Sequence, residues 1–312
     1  MVKELSSRLE EFVVPDEVRE ISARLAGPGV EECWMEMDGG RMRYLRAGSG
    51  PALILLHGLL GYSFSWRFTI PALAPYATVY APDMLGAGFS DRPMGLDCGM
   101  RAAAGRLLRF IKQLGISSFD LLGTSHGGAV AILASAECQR ADSSLQVRRL
   151  ILVAPVNPYS AHGQRLAPFF GSHFGSALFR IAVGRMRLVQ RLALIRLYGS
   201  RKRIPAGTFE GYTAQLVKPG SIEYALGIAR CWTADLREVE AALPKLADIP
   251  TLLVWGRKDP AVYASSAKRL AEYFPNSRTI IFPGIGHLPY EECPEEFNRA
   301  LIEFLTNQKV SA

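Results

Sequence analysis

The sequence predicts an α/β fold: a mostly parallel, eight-stranded sheet with helices on both faces and an inserted helical lid. Three observations carry this. Short β-rich apolar runs alternate with helical stretches, which is the pattern of strand–helix–strand units. The later runs, such as ALILL (52–56) and RLILVA (149–154), are continuously apolar, as strands covered on both faces are. The alternation then lapses between about Asn157 and Leu246 and resumes afterwards.

Taken in order, the first strands are expected at Cys33–Met37 and Met42–Arg46, joined by the tight turn Asp38-Gly39-Gly40. Further strands follow at Ala52–Leu56, Thr78–Ala81, Phe119–Leu122, Arg149–Val153, Thr251–Trp255 and Arg278–Phe282. Helical stretches lie between them at Phe64–Leu73, Arg101–Leu114, Gly127–Glu137, Val262–Phe274 and Pro294–Thr306. The intervening segment is rich in Leu, Arg, Phe and Ala. It opens on APVNPYSAHG and closes on LPKLADIP. Because strands resume after it, it reads as an insertion into one core: core 1–156, lid 157–242, core 243–312. The first 30 residues read as a charged helical extension.

Hydrophobic residues make up 49% and charged residues 21%, a composition suited to a packed globule and unsuited to disorder. No apolar run approaches the ~20 residues that span a bilayer, and the charged start MVKELSSRLEEFVVPDEVRE has no apolar signal core. The five cysteines are scattered and form no CxxC pair. That pattern predicts reduced thiols and a cytoplasmic location rather than a disulfide framework. The net charge of +7 is concentrated: eleven Lys/Arg and two Asp/Glu fall between Val156 and Trp232.

One stretch, LLGTSHGGAV (121–130), sets a serine among glycines between a strand and a helix. A strand that turns straight into a helix strains the corner residue, and its neighbours two positions away must be small. Gly123 and Gly127 meet that need around Ser125, forming a G-x-S-x-G elbow that lifts a hydroxyl above the sheet at a helix N-terminus. A serine hydroxyl needs a base, and the base needs an orienting acid. His287, in GIGHLP after the last strand, is the candidate base. Asp259, in GRKDP after the preceding strand, is the candidate acid. Their loops share one sheet edge. An oxyanion needs preorganised donors. The candidates are the backbone N–H groups of His126 and of Leu59, with Leu60 second, in His57-Gly-Leu-Leu-Gly61. His57 itself reads as a brace for that loop.

With HGLLG (57–61), APDMLGAGFSDRP (81–93), GTSHGG (123–128), GRKDP (256–260) and GIGHLP (284–289) assembled, the chain resembles the α/β-hydrolase superfamily, in its lidded serine-hydrolase branches. The order Ser, Asp, His is that family's order. The resemblance implies a Ser125–His287–Asp259 triad and an acyl-enzyme. It further implies an ester or thioester of an apolar substrate, and neither cofactor nor metal. Dehalogenases and epoxide hydrolases of this fold carry aspartate at the elbow, where this chain has Ser125. Carbon–carbon bond hydrolases of ring-fission diketones are the competing enzyme reading. They usually carry Asn before the serine and Trp after the histidine, where Thr124 and Leu288 stand here. A small-molecule receptor with incidental turnover is the alternative of another class.

Within the lid, FRIAVGRMRLVQRLALIRLYGSRKR (179–203) mixes arginine with apolar residues around most of a helical circumference. This predicts two helices, or one packed on the sheet with arginines snorkelling outward. It also suggests weak attraction to an anionic membrane surface or acidic substrates. The aromatics Phe169, Phe170, Phe174, Tyr198, Phe209, Tyr212 and Trp232 suggest an apolar pocket under the lid, with no specificity residue assigned among them. No phosphate loop, dinucleotide fingerprint, HExxH or nucleic-acid motif is present.

Overall fold

The computed structural model describes residues 29–160 and 167–307. The extension expected at the N-terminus therefore falls, through residue 28, outside the described residues. All eight expected strands form: β1 Val30–Met37, β2 Gly40–Ala47, β3 Ala52–Leu56, β4 Thr78–Pro82, β5 Ser118–Thr124, β6 Gln146–Val153, β7 Thr251–Gly256 and β8 Ser277–Phe282. They make one sheet in the order β1-β2-β4-β3-β5-β6-β7-β8. The β1/β2 and β2/β4 pairs are antiparallel and the others parallel. Met37 pairs with Gly40, so the expected hairpin closes on Asp38-Gly39.

Helices cover both faces. Helix α1 spans Ile70–Leu73, α2 Met100–Gln113 and α3 Ser125–Cys138. Between β6 and β7 come α4 His173–Arg185, α5 Arg187–Leu197, α6 Thr208–Ala214 and α7 Ser221–Ala242. The chain ends on α8 Ser266–Ala271, α9 Pro289–Glu292 and α10 Pro294–Thr306. Leu107, Phe110, Ile132 and Leu133 of α2 and α3 pack one side of the sheet; Ile70, Leu73, Phe297 and Leu301 of α1 and α10 pack the other. The sheet is thus apolar on both faces, which accounts for the unbroken apolar strands.

Two helices differ from expectation. Phe64–Leu73 is not continuous: a 3₁₀ turn at Ser63–Trp66 precedes α1. Pro71 is the reason. It has no N–H, and its ring clashes with the carbonyl four residues back, so a helix cannot run through it. Val262–Phe274 shrinks to α8. There Asp259 Oδ1 takes the Ala261 and Val262 N–H groups at 2.8 and 2.9 Å, replacing a helical turn with a side-chain-bonded one. The arginine-rich segment is two helices, broken where Met186 adopts an extended φ, ψ of −102°, 93°.

The sheet order reverses direction beside β3: the chain passes from β3 to β4 on one side, then crosses to β5 on the other. Open α/β sheets bind ligands at such a switch point, beyond the carboxyl ends of the strands. There β3 and β5 run parallel with Leu56 opposite Gly123, so the 57–61 loop and the elbow emerge side by side.

Candidate active site

Ser125 sits at the β5–α3 corner with φ +53°, a left-handed conformation that L-residues rarely adopt. Small neighbours are required. A Cβ on Gly123 would lie 2.4 Å from Gly127 O, and one on Gly127 would lie 2.3 Å from His57 O. The corner stores strain of about 1–3 kcal/mol, and the buried packing of α3 against the sheet holds it.

His287 and Asp259 are both buried, and His287 Nδ1 lies 2.7 Å from Asp259 Oδ2. Adjacent parallel strands bring them together, since Gly256 at the end of β7 pairs with Phe282 at the end of β8. The carboxylate is fixed at both oxygens, because its Oδ1 holds the Ala261 and Val262 amides. The histidine loop is fixed as well. His287 N–H donates to Leu197 O at 2.7 Å, while Glu292 accepts from Gly286 N–H at 2.6 Å and Gly199 N–H at 2.9 Å. Burial raises the Glu292 carboxyl above its usual range, and those two amides oppose the rise.

Ser125 and His287 open into the same cavity, of about 390 Å³. The 57–61 loop and helices α4, α5 and α7 complete its walls, with Leu59, Phe179, Val183, Leu194 and Trp232 among its apolar lining. Of the aromatics singled out in the sequence, Tyr212 and Trp232 reach this cavity, whereas Phe174 points to solvent. Among the described lining residues there is no lysine or arginine; the polar ones include Asn157, Ser160, Gln190 and Thr213.

Leu59 and Leu60 form the middle of a tight turn closed by Gly61 N–H on Gly58 O at 3.0 Å, with Leu60 at φ +55°. Gly58 sits against the serine, where an added Cβ would come within 3.1 Å of Ser125 Cβ. His126 lies in the first turn of α3, whose leading N–H groups have no acceptor within the helix. His57 is held at both nitrogens: Nε2 accepts from Met84 N–H at 3.1 Å, so Nδ1 carries the proton and donates to Gly58 O at 2.9 Å. It braces the loop. Burial lowers its pKa, and burial with the neighbouring His57 pushes His126 down to about 3, so both rings are neutral at pH 7.

Several residues that hold this site were not among the candidates the sequence named. Gln215, buried, accepts from Gly88 N–H at 2.7 Å and donates to Leu60 O at 2.6 Å. It therefore ties the helical insertion to the turn beside the serine. Asp83 organises APDMLGAGFSDRP by accepting from Ser63 N–H, Phe89 N–H and Arg43 at 2.8, 2.9 and 3.1 Å. The buried pair Arg67–Glu291 joins the two parts of the core and reaches the insertion through Thr208, whose hydroxyl accepts from Arg67 at 3.1 Å. Glu291 also accepts from Tyr198 OH at 2.7 Å and Tyr212 OH at 2.6 Å. Burial works against the Arg67 charge, but the Glu291 carboxylate outweighs it and raises the guanidinium above its ordinary value. Arg67→Met should cost about 3–5 kcal/mol, because it strands a buried carboxylate. Adding Glu291→Leu should recover part of that loss in urea unfolding. Additive losses would refute the coupling.

The family model of the α/β hydrolase fold matches residues 51–294, and the chain belongs to that family. It is a hydrolase of the α/β class, in keeping with the relatives it resembles. It is 29% identical to haloalkane dehalogenase 2 of Mycobacterium tuberculosis over 286 residues, covering 88% of this chain and 94% of that one. It is 27% identical over 276 residues to 2-hydroxymuconate semialdehyde hydrolase of Pseudomonas sp. strain CF600, covering 85% and 90%. Among solved structures, the meta-cleavage product hydrolase CumD superposes with a TM-score of 0.73 at 25% identity, covering 88% and 98%.

Proposed function

We propose that the chain is a serine hydrolase that cleaves an ester or thioester of a neutral, apolar acyl group through an acyl-enzyme. Ser125 attacks the carbonyl carbon. His287 Nε2 takes the hydroxyl proton and later delivers it to the leaving alcohol or thiol. Asp259 keeps the proton of the resting ring on Nδ1 and stabilises the imidazolium. The N–H groups of Leu59 and His126 receive the oxyanion, each worth a factor of ~10²–10³. Water then enters by the same base and releases the acid. The observation that carries this reading is a left-handed serine corner and an aspartate-held histidine opening into one apolar cavity.

The dehalogenase likeness does not extend to that chemistry here, since the elbow carries Ser125 and not aspartate. The carbon–carbon hydrolase reading is favoured by two of the relatives. Against it, a dienol keto acid carries a carboxylate, and the described cavity lining has no lysine or arginine to receive one. Its wall suits an uncharged chain. The helices over the cavity act as a lid in this reading, and the five free thiols fit a reducing, cytoplasmic setting.

A fluorophosphonate probe should label the wild-type protein, and p-nitrophenyl esters should turn over faster than a dienol keto acid. Faster cleavage of the keto acid would favour the carbon–carbon reading. Tight ligand binding without labelling or turnover would make the protein a receptor.

A further inference from the structure

Helices α4 and α5 are apolar on two opposite sides. Inward, Phe179 and Val183 of α4 and Leu194 and Leu197 of α5 line the cavity. Outward on α4, Phe174, Leu178 and Ile181 stand at i, i+4 and i+7, and Phe174 is 74% exposed. Outward on α5, Leu188 and Leu192 stand one turn apart at 65% and 51% exposure. At ~100° per residue, Arg187 and Arg191 border that stripe on one side and Arg196 on the other. A helix at a protein surface normally carries one apolar stripe, turned to the core. A second stripe in water, repeated on two consecutive helices, marks an interaction surface.

The charge around it selects the partner. From His173 to Phe209 the chain has eight Lys/Arg and no Asp/Glu. Arg180 is paired with Glu223. Among the described residues, no carboxylate is within ion-pair range of Arg187, Arg191, Arg196, Arg201 or Lys202. A second copy of this chain docking face to face would bring like charges together, which is costly. An anionic surface would neutralise them. No described helix is long and apolar enough to cross a membrane, so this surface lies on the lipid and does not span it.

We propose that the outer face of α4 and α5 docks on an anionic phospholipid bilayer. Phe174, Leu178, Ile181, Leu188 and Leu192 enter the boundary between headgroups and acyl chains, ~5–10 Å deep. The arginine stems run along that boundary and their guanidinium groups reach the phosphates. Each cation near such a surface raises partitioning about fivefold at low salt. Because the opposite sides of the same two helices line the cavity, docking sets that cavity one helix thickness from the lipid. Binding requires no turnover, so this inference stands apart from the catalytic reading.

The test is flotation of the full chain with vesicles of phosphatidylcholine alone or mixed with phosphatidylglycerol. Partitioning to the mixture should be at least about tenfold higher and should fall steeply as salt is added. Arg187→Ala/Arg191→Ala should reduce it on the order of tenfold, and Leu188→Ser/Leu192→Ser by a similar factor. Both variants should keep a folded-state Tm, and Ser125→Ala should bind as the wild type does. Equal binding to both vesicle types would overturn the proposal, as would full binding by the serine double variant. Salt-resistant self-association that Leu188→Ser/Leu192→Ser abolishes, without vesicle binding, would overturn it in favour of a second copy of the chain.

Discussion

Ser125→Ala is expected to lower kcat on any accepted ester on the order of 10⁶-fold, to abolish fluorophosphonate labelling and to leave Tm nearly unchanged. The size follows from what the substitution removes. Without the hydroxyl there is no covalent route, and the base and acid have nothing to activate except water at the wrong distance. What survives is the turn proposed to receive the oxyanion and the apolar cavity, and the residual catalysis of such sites is ~10³–10⁴ over water. Stability should barely move, because alanine meets the φ of +53° with the same single Cβ as serine and removes only the hydroxyl. Turnover within tenfold of wild type would mean that another group is the nucleophile. A collapse in Tm would mean that the hydroxyl serves the fold instead.

Much of the fold was legible because the signals are local. Strand β3 reads as ALILL whether or not its neighbours are known, and its bounds match the expectation. Edges were less legible. β1 begins at Val30 and β6 at Gln146, earlier than their apolar runs, since half-exposed residues there gain ladder bonds without needing burial. Helix lengths failed where one residue overrode the periodicity: Pro71 by lacking an N–H, Asp259 by capturing two amides. At the site, Ser125, Asp259 and His287 stand in motifs that a single sequence displays. Their supports do not. Gln215 meets Leu60 across 155 positions, and Arg67 meets Glu291 across 224. A buried glutamine in an otherwise unpatterned helical segment announces nothing, because its value lies in which distant carbonyl it reaches. Glu291 and Glu292 were closer to legible. They follow GIGHLPY directly, and paired carboxylates in the first turn after a candidate base invite a structural role.

The electrostatic layout separates the carboxylates around His287 into distinct tasks. Asp259 faces the ring. Glu292 is occupied by two backbone amides, and Glu291 by Arg67 and two tyrosines. Burial first, then Glu291, holds the Tyr198 hydroxyl above its ordinary pKa, and burial with Glu291 does the same at Tyr212. Both therefore remain donors. Neither glutamate has a free oxygen to offer the imidazole, so the orienting task cannot pass to them.

That leaves Asp259→Asn with a specific expected result: kcat reduced about 10⁴-fold, and fluorophosphonate labelling slowed in parallel. Asparagine is nearly isosteric, so the reason is the direction of a proton. In the native site Asp259 Oδ1 accepts from the Ala261 and Val262 amides, which demand an acceptor. An asparagine would keep its carbonyl oxygen on those two donors and turn its NH₂ toward His287 Nδ1. Facing a donor, Nδ1 must become the acceptor, and the ring proton moves to Nε2. That tautomer cannot take the serine proton. The two amides thus dictate the amide orientation that disables the base. Asp259→Ala leaves the tautomer unforced and should lose less than Asp259→Asn. If the asparagine variant instead retained more activity than the alanine variant, a forced tautomer would not be what disables the base and the tautomer argument would fail.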